Sequence, residues 1–209
     1  METRVKICGI TNLADAQVAI EAGADALGFN FYEKSPRRVS LKDSSEISRR
    51  LAPFIMRAGV FVNPPVELVL RAIGDCGLTL LQFHGDETPE FCTQFGLMSM
   101  KAFRIRDAGS LKQLPEFQTD AWLLDAFSPE ARGGTGEKFN WDLAVEAQKF
   151  GKPIFLAGGL TPENVADAVK KVRPFGVDVA SGVESSPGKK NHAKVRAFIA
   201  AVRNADGEE

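Results

Sequence analysis

Eight short apolar runs, separated by segments with helical spacing, recur from one end of this 209-residue sequence to the other. They are Val5–Cys8, Ala26–Phe31, Arg57–Val62, Leu80–His84, Ser99–Phe103, Trp122–Asp125, Ile154–Ala157 and Val177–Ala180. Each is brief and mostly apolar rather than a long polar–apolar alternation, which is how strands covered on both faces of a parallel sheet read. Their ends recur about every 25 residues, the length of a βα unit with short loops. The intervening segments carry helix punctuation. Thr11-Asn12 offers an N-cap ahead of Ala16, Ala19 and Ile20, with Gly23 as a stop. Thr88-Pro89 and Thr161-Pro162 each pair a capping hydroxyl with Pro at the first helical position, where its missing N–H costs nothing. Gly77, Gly96 and Gly151 close three further helices, and a last helix over about 193–203 puts Val195, Ile199 and Val202 on one stripe. No Pro/Ser linker or composition break divides the chain. Eight uninterrupted units predict an α/β fold, a single-domain (β/α)8 barrel of TIM-barrel type over residues 1–209, at the short end of that fold's size range. A doubly wound open sheet, usually of five or six strands, is the weaker reading.

Composition narrows the function classes. Hydrophobic residues make up 44% of the chain, enough for a sizeable core and too many for a disordered or low-complexity segment. Lys and Arg number 26 against 27 Asp and Glu, so no basic excess marks a nucleic-acid or anionic-membrane surface. The pairs Arg37-Arg38, Arg49-Arg50 and Lys189-Lys190 read as solvated faces or a local anion site. Three cysteines without a C-x-x-C or a regular framework indicate free thiols, and His84 and His192 give no zinc-like spacing. No signal-peptide core or membrane-length apolar run is present, so a cytoplasmic protein is expected.

In a barrel of this kind the chemistry sits at the C-terminal ends of the strands. That rule selects Cys8-Gly9, the loop 32–38, Asn63, Gln82 and His84, Arg104, Asp125, Gly133-Gly134-Thr135-Gly136, Gly158-Gly159 and Ser181-Gly182. The three glycine clusters follow the sixth, seventh and eighth strands. Backbone N–H groups in such loops converge on an anion, and the loops after strands seven and eight are the fold's habitual phosphate cradle. A tight turn would explain one cluster; three in consecutive loops favour a phosphorylated small-molecule substrate. Cys8 shares side-chain parity with Lys6 and Arg4, so it points into the mouth while Val5 and Ile7 face the helices. A buried Cys is ordinarily an inert small hydrophobe. Asp125 ends strand six, either orienting a loop or exchanging a proton. His84 is a helix cap or satisfied core imidazole before it is a catalyst. Cys76 and Cys92 fall inside helices and read as structural.

Lys6-Ile7-Cys8-Gly9-Ile10-Thr11 resembles the opening of the phosphoribosylanthranilate isomerase family of tryptophan biosynthesis. The likeness continues through residues 23–29 and 34–40, Gly59-Val60-Phe61-Val62-Asn63, Gln82-Phe83-His84-Gly85, Leu124-Asp125, Gly133-Gly134-Thr135-Gly136, residues 157–164 and Ser181-Gly182-Val183-Glu184. It covers essentially the whole chain. The resemblance implies an Amadori rearrangement of N-(5-phosphoribosyl)anthranilate, an aminoaldose, to the aminoketose 1-(2-carboxyphenylamino)-1-deoxyribulose 5-phosphate. It assigns the general acid to Asp125 and the general base to Cys8, and requires no metal or other cofactor. It aligns the family's carboxylate-binding Arg with Arg37, whose direction Pro36 would fix, leaving Arg38 solvated and Arg104 as the fallback. His84, Gly133, Gly134, Gly136, Gly158, Gly159, Ser181 and Gly182 complete the expected substrate contacts, in a monomer or homodimer. Cys8 then requires some thiolate at neutral pH, with Lys6 or loop dipoles as its support.

Other phosphate-binding barrels are the nearest rivals. Indole-glycerol-phosphate synthases use Lys and Glu at strand ends, and ribulose-phosphate epimerases use metal-binding His and Asp; neither set is present. A non-catalytic sugar-phosphate-binding barrel would have no use for both Cys8 and Asp125. A broader isomerase that also accepts the histidine-pathway aminoaldose remains open, although those barrels use two Asp residues where Cys8 takes the first place.

Overall fold

The parallel strands close on themselves. A computed structural model describes residues 2–126 and 141–207. Its barrel runs β1 (Arg4–Cys8), β2 (Ala26–Asn30), β3 (Met56–Phe61), β4 (Leu80–Phe83), β5 (Met98–Ile105), β6 (Ala121–Ala126), β7 (Ile154–Ala157) and β8 (Gly176–Val179). Each strand pairs with the next, and β8 returns to β1. Every one of these pairings is parallel. Among the described residues the outer layer contains α1 (Leu13–Glu21), α2 (Leu41–Ser48), α3 (Val66–Cys76), α4 (Pro89–Thr93), α5 (Trp141–Gln148), α6 (Val165–Val172) and α7 (His192–Asp206). No helix there is long and apolar enough to cross a membrane.

Alternation along the strands divides the apolar residues into two cores. Val5, Ile7, Leu27, Phe29, Phe61, Leu81, Phe83, Leu124 and Leu156 face outward and pack beneath the helices. Ala58, Leu80, Met100, Ala102, Ala121, Leu123, Phe155 and Ala157 fill the barrel. Gly176 has no side chain because the Phe155 ring occupies the place where its Cβ would stand. Phe175 meets Phe155 edge-on at 5.6 Å.

Local chemistry accounts for most helix starts. Asn12 accepts from the Asp15 N–H, and Thr88 accepts from the Phe91 N–H just ahead of Pro89. Gly77 ends α3 in the left-handed region, at φ 58°. The structure departs from the sequence pattern at three places. Thr161-Pro162 opens a turn rather than a helix, because Asn164 binds back to the Thr161 N–H and α6 starts only at Val165. The fifth unit carries a 3-10 helix, Ala108–Glu116, which opens with an Asp107–Ser110 capping box and contains Pro115, whose ring removes an N–H that a continuing α-helix would use. Beyond β8, Glu184–Ser186 (β9) and Lys189–Lys190 (β10) form a small antiparallel hairpin that the apolar pattern does not announce.

Candidate active site

The C-terminal strand ends surround a cavity of about 250 Å3. Cys8, Arg37, His84, Asp125, Gly158, Gly159, Ser181 and Gly182 all line it, so it unites these candidates from six different strands and their loops. Gly133, Gly134 and Gly136 lie outside the described residues. Arg104 is exposed on β5, in register with Asp125.

Cys8 is the last residue of β1, and Asp125 stands three strands away around the rim by way of β8 and β7. A thiol and a carboxyl so arranged address one bound molecule from two sides. His84 bridges to the carboxyl: its Nε2 lies 3.2 Å from Asp125 Oδ2, and its Nδ1 lies 3.2 Å from Gln82 Nε2. Both ring nitrogens are thereby engaged at the mouth, so His84 is neither a helix cap nor a core imidazole. The loop behind it is clamped. Buried Lys101 donates to the Gly85 carbonyl at 2.6 Å and to Glu87 at 3.0 Å, while Glu87 accepts from the N–H groups of Asn63 and Gly85.

Gly158, Gly159 and Gly182 shape the opposite rim. Gly158 and Gly159 take φ of 79° and 67°, a left-handed conformation that strains other residues. Gly182 packs so tightly that a Cβ would collide with the Leu160 carbonyl and stand 3.2 Å from Thr161 Cα. The loops after β7 and β8 therefore pack backbone against backbone at the edge of the cavity.

Arg37 is held differently from the sequence expectation. Its Nε donates to Glu184 at 2.9 Å and its Nη2 at 2.8 Å, so a bidentate ion pair aims the guanidinium and Pro36 is secondary. Gly9 makes room for the arm, since a Cβ there would stand 2.7 Å from Arg37 Cδ. Burial acts to raise the Glu184 carboxyl, but Arg37 and Lys190 more than offset it and hold the group below its usual range. The Lys189-Lys190 pair suggests by its sequence a solvated face or anion site for Lys190. It is instead buried, donating to the Cys8 carbonyl at 2.6 Å and to Glu184 at 3.0 Å. The β9–β10 turn pulls it inward, leaving only Lys189 exposed.

Buried charges beneath the mouth complete the site. Lys6, expected only as a support for the thiolate, is fully buried and bonded to Asp178 at 2.8 Å. Asp178 carries no local motif that separates it from a surface carboxylate, and inward parity on β8 is its one signal; Glu184 lies in the Ser181-Gly182-Val183-Glu184 stretch, which does not announce its pairing with Arg37. Burial pushes the Cys8 thiol up, with the Lys6 charge pulling against it and Asp178 adding to the rise. Among the described residues, no group of three or more His, Cys, Asp and Glu could hold a metal ion.

A family profile described as N-(5'phosphoribosyl)anthranilate (PRA) isomerase matches residues 5–201. An N-(5'-phosphoribosyl)anthranilate isomerase from Geotalea uraniireducens is 55% identical over 197 residues, which span 94% of this chain and 97% of that protein. The crystal structure of the phosphoribosyl anthranilate isomerase from Thermotoga maritima superposes with a TM-score of 0.90 at 42% identity, covering 97% of this chain and 99% of that one. Another solved isomerase, in complex with reduced 1-(o-carboxyphenylamino)-1-deoxyribulose 5-phosphate, gives a TM-score of 0.86 at 40% identity with the same coverage. The chain belongs to the N-(5'-phosphoribosyl)anthranilate isomerase family.

Proposed function

We propose that this protein isomerises N-(5-phosphoribosyl)anthranilate to 1-(2-carboxyphenylamino)-1-deoxyribulose 5-phosphate, in the cytoplasm, as a step of tryptophan biosynthesis. The observation that carries the reading is the single cavity lined by Cys8, Asp125 and the two glycine loops. Asp125 protonates the furanose oxygen as the amine nitrogen pushes the ring open to a protonated Schiff base. Cys8 thiolate then takes the C2′ proton. The C2′–H electron pair enters the enolamine double bond, and the positive nitrogen becomes neutral. Ketonisation of the enolamine yields the product. His84 holds Asp125 in place for the first transfer. The backbone of Gly158, Gly159, Ser181 and Gly182 receives the phosphate. The purified protein should consume fluorescent phosphoribosylanthranilate; a folded protein without turnover would favour a sugar-phosphate-binding barrel.

Arg37 is the arm for the anthranilate carboxylate. Glu184 grips one edge of the guanidinium, and the other edge, Nη1 with the outer N–H of Nη2, is the one a substrate carboxylate would meet. Arg38 is half exposed and only 3.8 Å from exposed Glu33, an interaction of little energy. Arg37→Ala should weaken substrate binding by about 10–100-fold, the loss of one charge-assisted hydrogen-bonded contact, whereas Arg38→Ala should change KM less than about twofold. The Arg37 penalty should shrink for an analogue without the carboxylate. Equal, small effects at the two positions would move carboxylate recognition to Arg104.

A further inference from the structure

The barrel interior directly beneath the mouth holds an ion pair that the acid–base assignment leaves unused. Lys6 and Asp178 face each other across the β1–β8 seam, in register, at 2.8 Å. The Lys6 side chain is 0% exposed and that of Asp178 is 10%. Removing two charges from water costs more than a well-packed apolar pair would, so the pair is weak evidence for stability as such. Its position relative to the thiol gives it another use. A Cβ placed on Gly28 would stand 2.8 Å from Cys8 Sγ and 3.1 Å from Lys6 Nζ, so sulfur and ammonium converge over this one glycine. Gly28 is the β2 residue in register with Cys8, and its missing side chain is what lets the two meet.

We propose that Lys6 is a positioning residue for Cys8: its buried ammonium, anchored by Asp178, stands beside the sulfur and favours the thiolate over the thiol. The proposal rests on Cys8 as the base of the isomerisation and adds the source of its ionisation. Lys6 keeps its proton throughout. The C2′ proton passes to sulfur, and the charge lost there is the one the ammonium had stabilised.

The other charged groups around the sulfur do not substitute for Lys6. Lys190, from β10, acts on the thiol more weakly than Lys6, and its Nζ is spent on the Cys8 and Ala180 carbonyls and on Glu184. Arg37, from the loop after β2, is bound to Glu184. Asp178 on β8 opposes ionisation and is itself offset by Lys6. Asp125 and His84 line the same cavity from β6 and β4, bonded to each other. Burial drives the thiol upward, and Lys6 is the largest influence in the other direction.

Alkylation reads this directly without substrate or turnover. Iodoacetamide modification of Cys8, followed by peptide mass spectrometry across pH, reports the thiolate fraction. Lys6→Met combined with Asp178→Asn removes both charges at nearly constant volume. Measured against Asp178→Asn alone, which removes the opposing carboxylate, it should raise the alkylation midpoint by about one pH unit and slow modification at pH 7 about tenfold. Lys6→Arg, which retains a cation, should stay within about threefold of the wild type. A midpoint in the folded double variant equal to that of Asp178→Asn would overturn the proposal. Should Cys8→Ala keep near-native turnover, the base assignment falls, while a thiol that still answers to Lys6 would leave the electrostatic pairing standing.

Discussion

Cys8→Ala and Asp125→Asn should each lower kcat by about 10²–10⁴-fold, the range over which a positioned acid or base acts. Neither change removes a support of the barrel. Cys8 contributes one sulfur at the cavity wall, and its backbone pairing with Gly28 is unaffected. Asparagine at 125 retains an oxygen to accept from His84, now 3.2 Å from the carboxylate. Circular dichroism and product affinity should therefore match the wild type, which separates lost chemistry from lost structure. The pH profile carries a signed expectation as well. Burial holds the Cys8 thiol above its ordinary range, so the thiolate is the minor form at neutral pH. The base limb of kcat/KM should rise about tenfold per pH unit below the thiol's midpoint and disappear in Cys8→Ala. Near-native kcat in either variant would strip that residue of its role.

Gly182→Ala should be the most damaging single methyl group in the mouth. The added Cβ collides with the Leu160 carbonyl and lies 3.0 Å from its carbon, and both groups are main chain that cannot rotate aside. The loops after β7 and β8 must separate, and the N–H groups aimed at the phosphate separate with them. Loss of two charge-assisted hydrogen bonds costs about 3 kcal/mol, roughly a 10²-fold rise in KM. Gly159→Ala is the internal comparison. Its Cβ would enter open space, so the variant bears only the backbone strain of φ 67°, about 1–2 kcal/mol. Inorganic phosphate should protect the wild type against thermal unfolding, Gly159→Ala partly, and Gly182→Ala hardly at all. Equal protection of all three would place the phosphate elsewhere.

What the sequence revealed and what it concealed follow from the range of the interactions. Strand positions and the inward parity of Lys6 and Cys8 are local consequences of a two-residue period, and each strand lies within a few residues of its apolar run. Cys8, Asp125, His84 and the glycines of strands seven and eight are legible because the fold sends chemistry to strand ends. The partners were not legible. Lys6 meets Asp178 only because β1 and β8 close with Val5 opposite Val177, a register set by the whole barrel. Arg37 finds Glu184 across 147 residues, and nothing near either residue encodes the other. Thr161-Pro162 resembled a helix start because cap chemistry and turn chemistry use the same residue types; the Asn164 side chain decides between them.

The short hairpin after β8 joins tasks that are usually distributed over a barrel's rim. Within ten residues, Ser181 and Gly182 face the cavity, Glu184 grips Arg37, the Gly188 N–H returns to Glu184, and Lys190 reaches the carbonyl of Cys8. On the proposed reading, the groups that hold the phosphate, aim the carboxylate arm and seat the base therefore share one covalent segment. A substrate stripped of its phosphate should then forfeit more than an anchor: binding energy gathered far from C2′ would set this segment, and its loss should slow the chemical step as well as loosen the complex. For the same reason the mouth resists piecemeal retailoring. Grafting a new phosphate loop here transplants the neighbouring contacts too, so specificity at the two ends of the substrate is inherited together.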